Sequence, residues 1–370
     1  MVSAYDVLVL GAGPAGLATA LSLRSLSDCS ILIADAGEQK RERAGESAPP
    51  DLLAPLRHLQ LEANFLAAGH LHSPGSAVRW GREQVGYNDH LLNPMGPSWR
   101  LNRPVFDAML ETAALERGIS IQWNTRYLRA KANEDGFLLS LAERAGPEWE
   151  VQARWVVDAT GPLARFATDL GVKKRTDDQL FGLAGFSTVQ AGQMKKQVLV
   201  ESTPEGWWYA AYLPDHRIIH MFVTDAPQLR QLKSAGLAGW AALLSRTQLL
   251  GPVLAGVQLA PPEFHTFPIY SSLLEQAYGE HWLAVGDAAA AYDPIASQGL
   301  YKALSDGVVA GRTLAAALQG QRQELEQYET GIKERYTRYF DQRCSLYGQE
   351  RRWAGAEFWR NRYEAEIRVG

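Results

Sequence analysis

Gly11-Ala12-Gly13-Pro14-Ala15-Gly16 is the string in this chain that most directly implies chemistry. It spells G-x-G-x-x-G between an aliphatic run, Tyr5 to Leu10, and a segment of helical periodicity, Leu17 to Leu26, the context in which this spacing forms a dinucleotide-binding turn. Gly11 permits a tight turn, Gly13 lets a pyrophosphate approach the backbone, and Gly16 lets the helix pack on the strand. Pro14 and Ala15 open the helix, whose unpaired N–H groups and partial positive charge favour phosphate. A second apolar run, Ile31 to Ala34, ends at Asp35-Ala36, where a carboxylate can accept hydrogen bonds from an adenosine ribose and disfavours a phosphorylated one.

The glycine string suits NAD as well as FAD. A second patch separates them. Gly286-Asp287 follows the strand-like Leu283-Ala284-Val285, and Asp293-Pro294-Ile295-Ala296-Ser297-Gln298-Gly299-Leu300 leads into a helix. Asp287 can hold ribityl hydroxyls. Backbone N–H groups near Gln298 and Gly299 can stabilise negative charge at the N1/O2 edge of a flavin, with Pro294 and Leu300 as further cofactor-binding candidates. The cofactor expected is FAD; the alternative is a plain strand followed by a helix with Asp293 as its cap.

Three patches, Gly11 to Gly16, Val156-Val157-Asp158-Ala159-Thr160-Gly161 and Gly286-Asp287-Ala288-Ala289, resemble in order and spacing the flavoprotein monooxygenase and halogenase superfamily that shares the aromatic-hydroxylase fold. Gly45-Glu46-Ser47, preceded by Arg41 and Arg43, is similar to its Gly-Glu-Ser segment, and Arg103 with Phe106-Asp107 to its Arg-x-x-Phe-Asp helix start. The likeness covers almost the whole chain. It implies that Arg43, Glu46, Ser47 and Arg103 lie along the FAD, Arg103 towards its phosphate and ribityl side.

Within that superfamily, flavin halogenases carry Trp-x-Trp-x-Ile-Pro and a lysine that handles hypohalous acid. This chain has Gly206-Trp207-Trp208-Tyr209-Ala210-Ala211-Tyr212-Leu213-Pro214 instead, and no lysine between Arg41 and Lys131. Both departures weigh against halogenation. The Gly206 to Pro214 string, Thr224-Asp225, Gln298 to Leu304 and the aromatic tail around Trp353 and Trp359 look like the flavoproteins that mature the tryptophylquinone cofactors of lysine and glycine oxidases. That resemblance implies hydroxylation of an electron-rich ring through a flavin C4a-hydroperoxide, with a tryptophan side chain of a partner precursor protein as that ring. The partners implied are this aromatic substrate, O2, and NAD(P)H or a separate flavin reductase. Glu46, Arg79 and Tyr209 are the catalytic candidates, with Arg82 and His90 also on the substrate side. Alternatives are a small-molecule hydroxylase or halogenase-like enzyme, a reductase of the geranylgeranyl reductase type, and a non-catalytic flavoprotein that binds a precursor.

The elements that must position these residues follow from length and period. The chain has 370 residues, 46% of them apolar and 21% charged, enough for more than one domain with a large core, and its net charge of −4 leaves no footprint for nucleic acid. Two distant cysteines, Cys29 and Cys344, offer no disulfide framework or metal motif; His216 and His220 lack a third ligand, so no metal site is expected. Without a basic leader or a long apolar stretch, a soluble cytoplasmic protein that does not engage membrane is expected. Helices are expected at Pro49 to Ala68, Arg103 to Arg117 and Leu229 to Leu244, and onward from Val285. Strands are expected at Ile119 to Trp123, Phe137 to Ala142, Glu150 to Val157, Gln197 to Glu201, Trp207 to Tyr212, Arg217 to Thr224 and Trp282 to Val285.

The fold class expected is α/β, α+β overall: a Rossmann-type FAD-binding domain assembled from separated segments (1–75, 101–172 and 273–318), a strand-and-loop insertion (76–100), an antiparallel substrate domain (173–272) and a C-terminal helical, aromatic tail (319–370). In that tail Arg351, Arg352, Arg360 and Arg362, interleaved with Trp353, Phe358 and Trp359, read as a solvated helix face or a docking surface.

Overall fold

The computed structural model describes residues 2–39, 45–89, 96–144, 146–190, 196–255, 257 and 262–367. Strand β1 (Ser3–Leu10) and helix α1 (Pro14–Arg24) are joined by the glycine turn and followed by β2 (Ile31–Ala34). The aliphatic ends of both strands are buried, as parallel strands covered by helices must be. β1 pairs in parallel with β2 on one side and with β11 (Glu148–Asp158) on the other. Strand order therefore reverses at β1, leaving a crevice at its carboxyl end, the usual ligand position in such sheets. β8 (Ser120–Gln122) continues the sheet beyond β2, and β18 (Trp282–Ala284) beyond β11, both parallel. β17 (Tyr278–Gly279) edges β18, and antiparallel β9 (Thr125–Asn133) and β10 (Gly136–Glu143) pair beside β11.

The second sheet runs in the order β19 (Ala290–Ala291), β16 (Glu263–Leu274), β12 (Lys174–Thr188), β15 (Arg217–Thr224), β14 (Gly206–Leu213), β13 (Val198–Thr203), β5 (Gly75–Arg79) and β6 (Gly86–Asp89). All its pairs are antiparallel except β13 with β5. A small third sheet, β3 (Ser47–Ala48), β7 (Ser98–Arg100) and β4 (Leu71–Ser73), carries the Glu46-Ser47 turn.

Helices α4 (Arg103–Glu116) and α8 (Gly299–Leu318) flank α1. The α1–α8 seam is close because α8 presents glycines: a Cβ at Gly307 would lie 2.7 Å from Ala15 O, and one at Gly311 2.7 Å from Thr19 O. The remaining helices are α2 (Leu53–His58), α3 (Glu62–Ala67), α5 (Arg165–Asp169), α6 (Ala226–Ser245), α7 (Leu250–Ala255), α9 (Gln323–Gly348) and α10 (Glu357–Ile367). Among the described residues no helix is long and apolar enough to cross a membrane.

Three expectations are corrected. The helix expected over Pro49 to Ala68 is a short 3-10 turn followed by α2 and α3, because Gln60 takes φ +59° and the bonds Leu61 N–H to Leu56 O and Gln60 N–H to Arg57 O close α2 in a Schellman cap. The helix over Leu229 to Leu244 is interrupted at Gly236, which adopts φ +59°. The tail is not a solvated face throughout. Arg362, Phe358 and Trp359 are buried; Arg362 binds Asp225 at 2.5 Å and Trp359 Nε1 donates to Thr203 O at 2.8 Å, fastening α10 to the second sheet.

Candidate active site

The turns that follow β1, β11 and β18 lie side by side, because Leu10 pairs with Asp158 and Asp158 with Ala284. Three patches far apart in the chain thus share one edge. Three of their glycines are sterically required: a Cβ at Gly11 (φ +120°) would fall 2.2 Å from Ala159 O, one at Gly16 2.0 Å from Gly11 O, and one at Gly286 (φ +61°) 2.6 Å from Ala15 Cβ. Asp158 stabilises its own turn, accepting from Thr160 N–H at 3.0 Å and Ala167 N–H at 2.9 Å. Asp35 is buried at the end of β2 and accepts from Ala12 N–H at 2.8 Å and Gly37 N–H at 2.7 Å, so it locks the glycine turn to the next loop, where Ala36 is exposed.

On the other side of the crevice, the Asp287 side chain is 46% exposed and stands 3.5 Å from Lys302 Nζ, itself 3.2 Å from Asp306. Asp293 accepts from Ile295 N–H at 2.9 Å, capping a 3-10 turn over Pro294–Ala296; Ser297 then takes a left-handed φ of +51°, and α8 begins after Gln298.

Between this turn, the third sheet and the β13–β14 face lies a cavity of about 870 Å³. Trp80, Trp207, Val200 and Ile295 provide apolar lining, and Ser47, Ser73, Arg100 and Tyr209 polar lining. Trp207 is held through its indole N–H, which donates to Tyr347 Oη at 2.9 Å; Tyr347 in turn donates to Asp293 at 2.8 Å. Trp80 Nε1 donates to Leu346 O at 2.8 Å, so α9 fixes both rings. Tyr209 Oη and Ser47 Oγ are 2.6 Å apart, a bond that joins the second sheet to the Glu46-Ser47 turn.

Residues 4–342 match the family described as FAD binding domain. The chain belongs to that family. The flavoprotein is 25% identical over 364 residues, 98% of each chain, to the putative FAD-dependent oxidoreductase LodB of Marinomonas mediterranea. It is similar to the solved structure of QhpG, a peptidyl tryptophan dihydroxylase essential for tryptophylquinone cofactor biogenesis, with TM-score 0.77 and 27% identity, covering 97% of this chain and 79% of that one. It shares its fold with CmlS, a flavin-dependent halogenase, at TM-score 0.86 and 23% identity, over 100% of this chain and 70% of that one. It is an FAD-dependent oxidoreductase.

Its residues fit FAD. The first turns of α1 and α8 carry no side-chain cap, which leaves N–H groups at each helix end to bind an acceptor. A Cβ at Gly299 would meet nothing within 4 Å, and Asp287 is open to the crevice. We propose that the flavoprotein holds the pyrophosphate at Gly11, Gly13, Pro14, Ala15 and Gly16 and the adenosine beside Asp35 and Ala36. By the same proposal the ribityl chain lies beside Gly286 and Asp287, and the ring edge beside Pro294, Gln298, Gly299 and Leu300.

Arg103 is buried and donates to Gly45 O at 3.1 Å and to Asp107 at 3.2 Å, tying the Glu46-Ser47 turn to α4. Arg79, expected on the substrate side, is corrected: Val78 and Trp80 line the cavity, and strand alternation turns Arg79 to the opposite face, where it binds Glu201 at 3.4 Å and also pairs with Glu83. Arg82 does line the cavity. Arg41, Arg43 and His90 lie outside the described residues. His220 bonds Ser187 at 3.1 Å, and His216 bonds Tyr212. Arg100 and Lys302 were not anticipated. Arg100 stands in the same string as Arg103, but only the β3–β7 pairing brings it to Ser47.

Glu46 is 3% exposed and does not line the cavity. Its Oε2 accepts from Gly45 N–H at 3.2 Å, while Oε1 is buried without a partner among the described residues. Burial raises its carboxyl pKa against the pull of Arg103 and Arg100. A raised folded-state pKa means that its favourable contribution is complete below the ordinary value of 4.5 and is lost as pH climbs through the folded value. Glu46→Gln is therefore expected to gain stability over the parent protein between pH 4.5 and neutrality, read from urea midpoints across that range. Parallel pH profiles would show that the carboxyl is not strained by burial.

Proposed function

We propose that this flavoprotein is a monooxygenase that inserts oxygen into an electron-rich aromatic ring, with a tryptophan side chain of a partner protein as its substrate. The observation that carries this reading is the cavity. At about 870 Å³ it has room for an indole and adjoining peptide, it sets aromatic walls beside hydrogen-bonding groups, and among the described residues neither lysine nor cysteine lines it. The likeness to QhpG and LodB across nearly the whole chain supports the same reading.

Bound and reduced FAD supplies the reaction with O2, of which one atom enters the ring and the other leaves as water. The chain supplies position and dryness. Trp80 and Trp207, their N–H groups already committed to Leu346 and Tyr347, cannot swing out of the cavity without breaking those bonds, and they set two aromatic walls, inclined at 69° to each other, against which a substrate ring packs. Electrons come from NAD(P)H or from a separate flavin reductase, which oxygen uptake with NAD(P)H alone distinguishes. No side-chain nucleophile is required.

The test is turnover of the FAD-loaded protein with reductant, O2, bromide and tryptophan-containing proteins encoded beside its gene. Gain of oxygen atoms on one of them is expected. Gain of bromine would instead place the chain with halogenases, and oxygen gain only on small aromatic compounds would remove the protein substrate.

A further inference from the structure

We propose that Arg100, Ser47 and Tyr209 form an anion subsite in the cavity, which binds a carboxylate that the substrate carries next to the ring to be oxidised. The aromatic part of this inference rests on the monooxygenase reading above; the anion part rests on hydrogen-bond accounting in this structure.

Five arginines are buried among the described residues. Four of them have a carboxylate within ion-pairing distance: Arg79 with Glu201, Arg103 with Asp107, Arg343 with Asp178, and Arg362 with Asp225. Arg100, 2% exposed, has none among the described residues. Its Nη1 donates to Ser47 Oγ and lies 3.4 Å from Trp99 O, Nη2 donates to Ser73 Oγ at 3.1 Å, and Nε is buried without a partner. A buried guanidinium is costly without a counter-charge, and an anionic ligand removes that cost.

The hydroxyl pair beside it is short of acceptors in the same way. Arginine can only donate, so Ser47 Oγ accepts from Arg100. Ser47 and Tyr209 share one hydrogen bond of 2.6 Å, which consumes one of their two hydroxyl hydrogens. The other has no acceptor among the described residues. Arg100, Ser47 and Tyr209 all line the cavity, so a positive charge and a spare O–H converge at one point of its wall. Among the described residues Arg82 is a second lining cation, against one lining acid, Asp51. A carboxylate satisfies both the charge and the hydrogen. It can be the side chain of an acidic residue adjoining a target tryptophan, or the acid group of a free aromatic compound.

The experiment reads binding, not turnover. The FAD-loaded protein is titrated with N-acetyl-tryptophanyl-aspartate amide, its asparagine counterpart, N-acetyl-tryptophan and benzoate, each followed by perturbation of the flavin absorbance. The aspartate peptide is expected to bind about ten- to a hundred-fold more tightly than the asparagine peptide, the usual worth of a buried charge-assisted bond. That advantage is expected to vanish in Arg100→Gln and to shrink in Tyr209→Phe, which removes only the hydroxyl. Tighter binding of the aspartate peptide than of N-acetyl-tryptophan or benzoate assigns the anion to a protein substrate, and the reverse assigns it to a free acid. Benzoate binding through Arg100 with no response to either peptide would keep the subsite and remove the tryptophan reading. Equal binding of the two peptides without an Arg100-dependent response to benzoate, or an aspartate advantage that survives Arg100→Gln, overturns the subsite. Should Arg100→Gln fail to retain FAD, the peptide pair on the parent protein and on Tyr209→Phe decides.

Discussion

Gly16→Ala is expected to purify folded but colourless. The added Cβ falls 2.0 Å from Gly11 O, a backbone atom in the turn that we assign to the pyrophosphate, and 3.1 Å from Ala159 Cβ in the neighbouring turn. Something must move, and the choices are the α1 start or the Gly11 corner itself. Overpacking of this kind costs about 1–3 kcal/mol. Spent on displacing the phosphate-binding turn, that weakens FAD about ten- to a hundred-fold, because each ~1.4 kcal/mol is a factor of ten. Gly11→Ala adds a strained backbone at φ +120° and is expected to be worse. Flavin absorbance per protein after gel filtration, then titration with FAD, checks both. Undiminished affinity in Gly16→Ala would show that the pyrophosphate lies elsewhere.

Arg343→Met is expected to lose about 3–5 kcal/mol of stability, the cost of removing one partner from a buried ion-pair network. The Arg343 side chain is 1% exposed on α9; it pairs with Asp178 of β12, and its Nε lies 3.5 Å from Asp293. Methionine preserves the bulk of the side chain but withdraws its charge from both acids, leaving Asp178 with Arg362, whose Nε lies 3.5 Å away. Adding Asp178→Asn to Arg343→Met is expected to recover part of the loss, a coupling measured by a double-mutant cycle of urea midpoints. Since Asp293 caps the Pro294 turn beside the proposed flavin edge, FAD affinity is expected to fall together with stability. A loss under ~1 kcal/mol would mean that the pair is screened by water, as surface pairs are.

What was legible in the sequence is what neighbouring residues decide. The strand, glycine turn and helix at Tyr5 to Leu26 follow from local period and from glycines whose Cβ positions are filled, and Trp207 to Tyr212 and Arg217 to Thr224 follow from the composition and turn signals of short strands. What escaped depends on partners far along the chain. The parallel pairing of β13 with β5, across more than a hundred residues, decides that Val78 and Trp80 face the cavity and Arg79 does not. Gly307 and Gly311 read as ordinary helical glycines until α1 is laid against them. Among the tail arginines Arg362 looks solvated by composition, yet it is buried and pairs with Asp225, which follows β15. Arg100 is the same case at the site itself: its neighbours in sequence say nothing of Ser47, Ser73 or Tyr209, and only the joining of the third sheet to β14 exposes its missing counter-charge.

The most direct measurement of the central claim is peptide mapping of the tryptophan-containing partner after reaction under isotopically labelled O2 with the reduced, FAD-loaded protein. Labelled oxygen on a single tryptophan, absent without the flavoprotein, is the predicted result. An unmodified partner, alongside flavin that reoxidises freely, would contradict it.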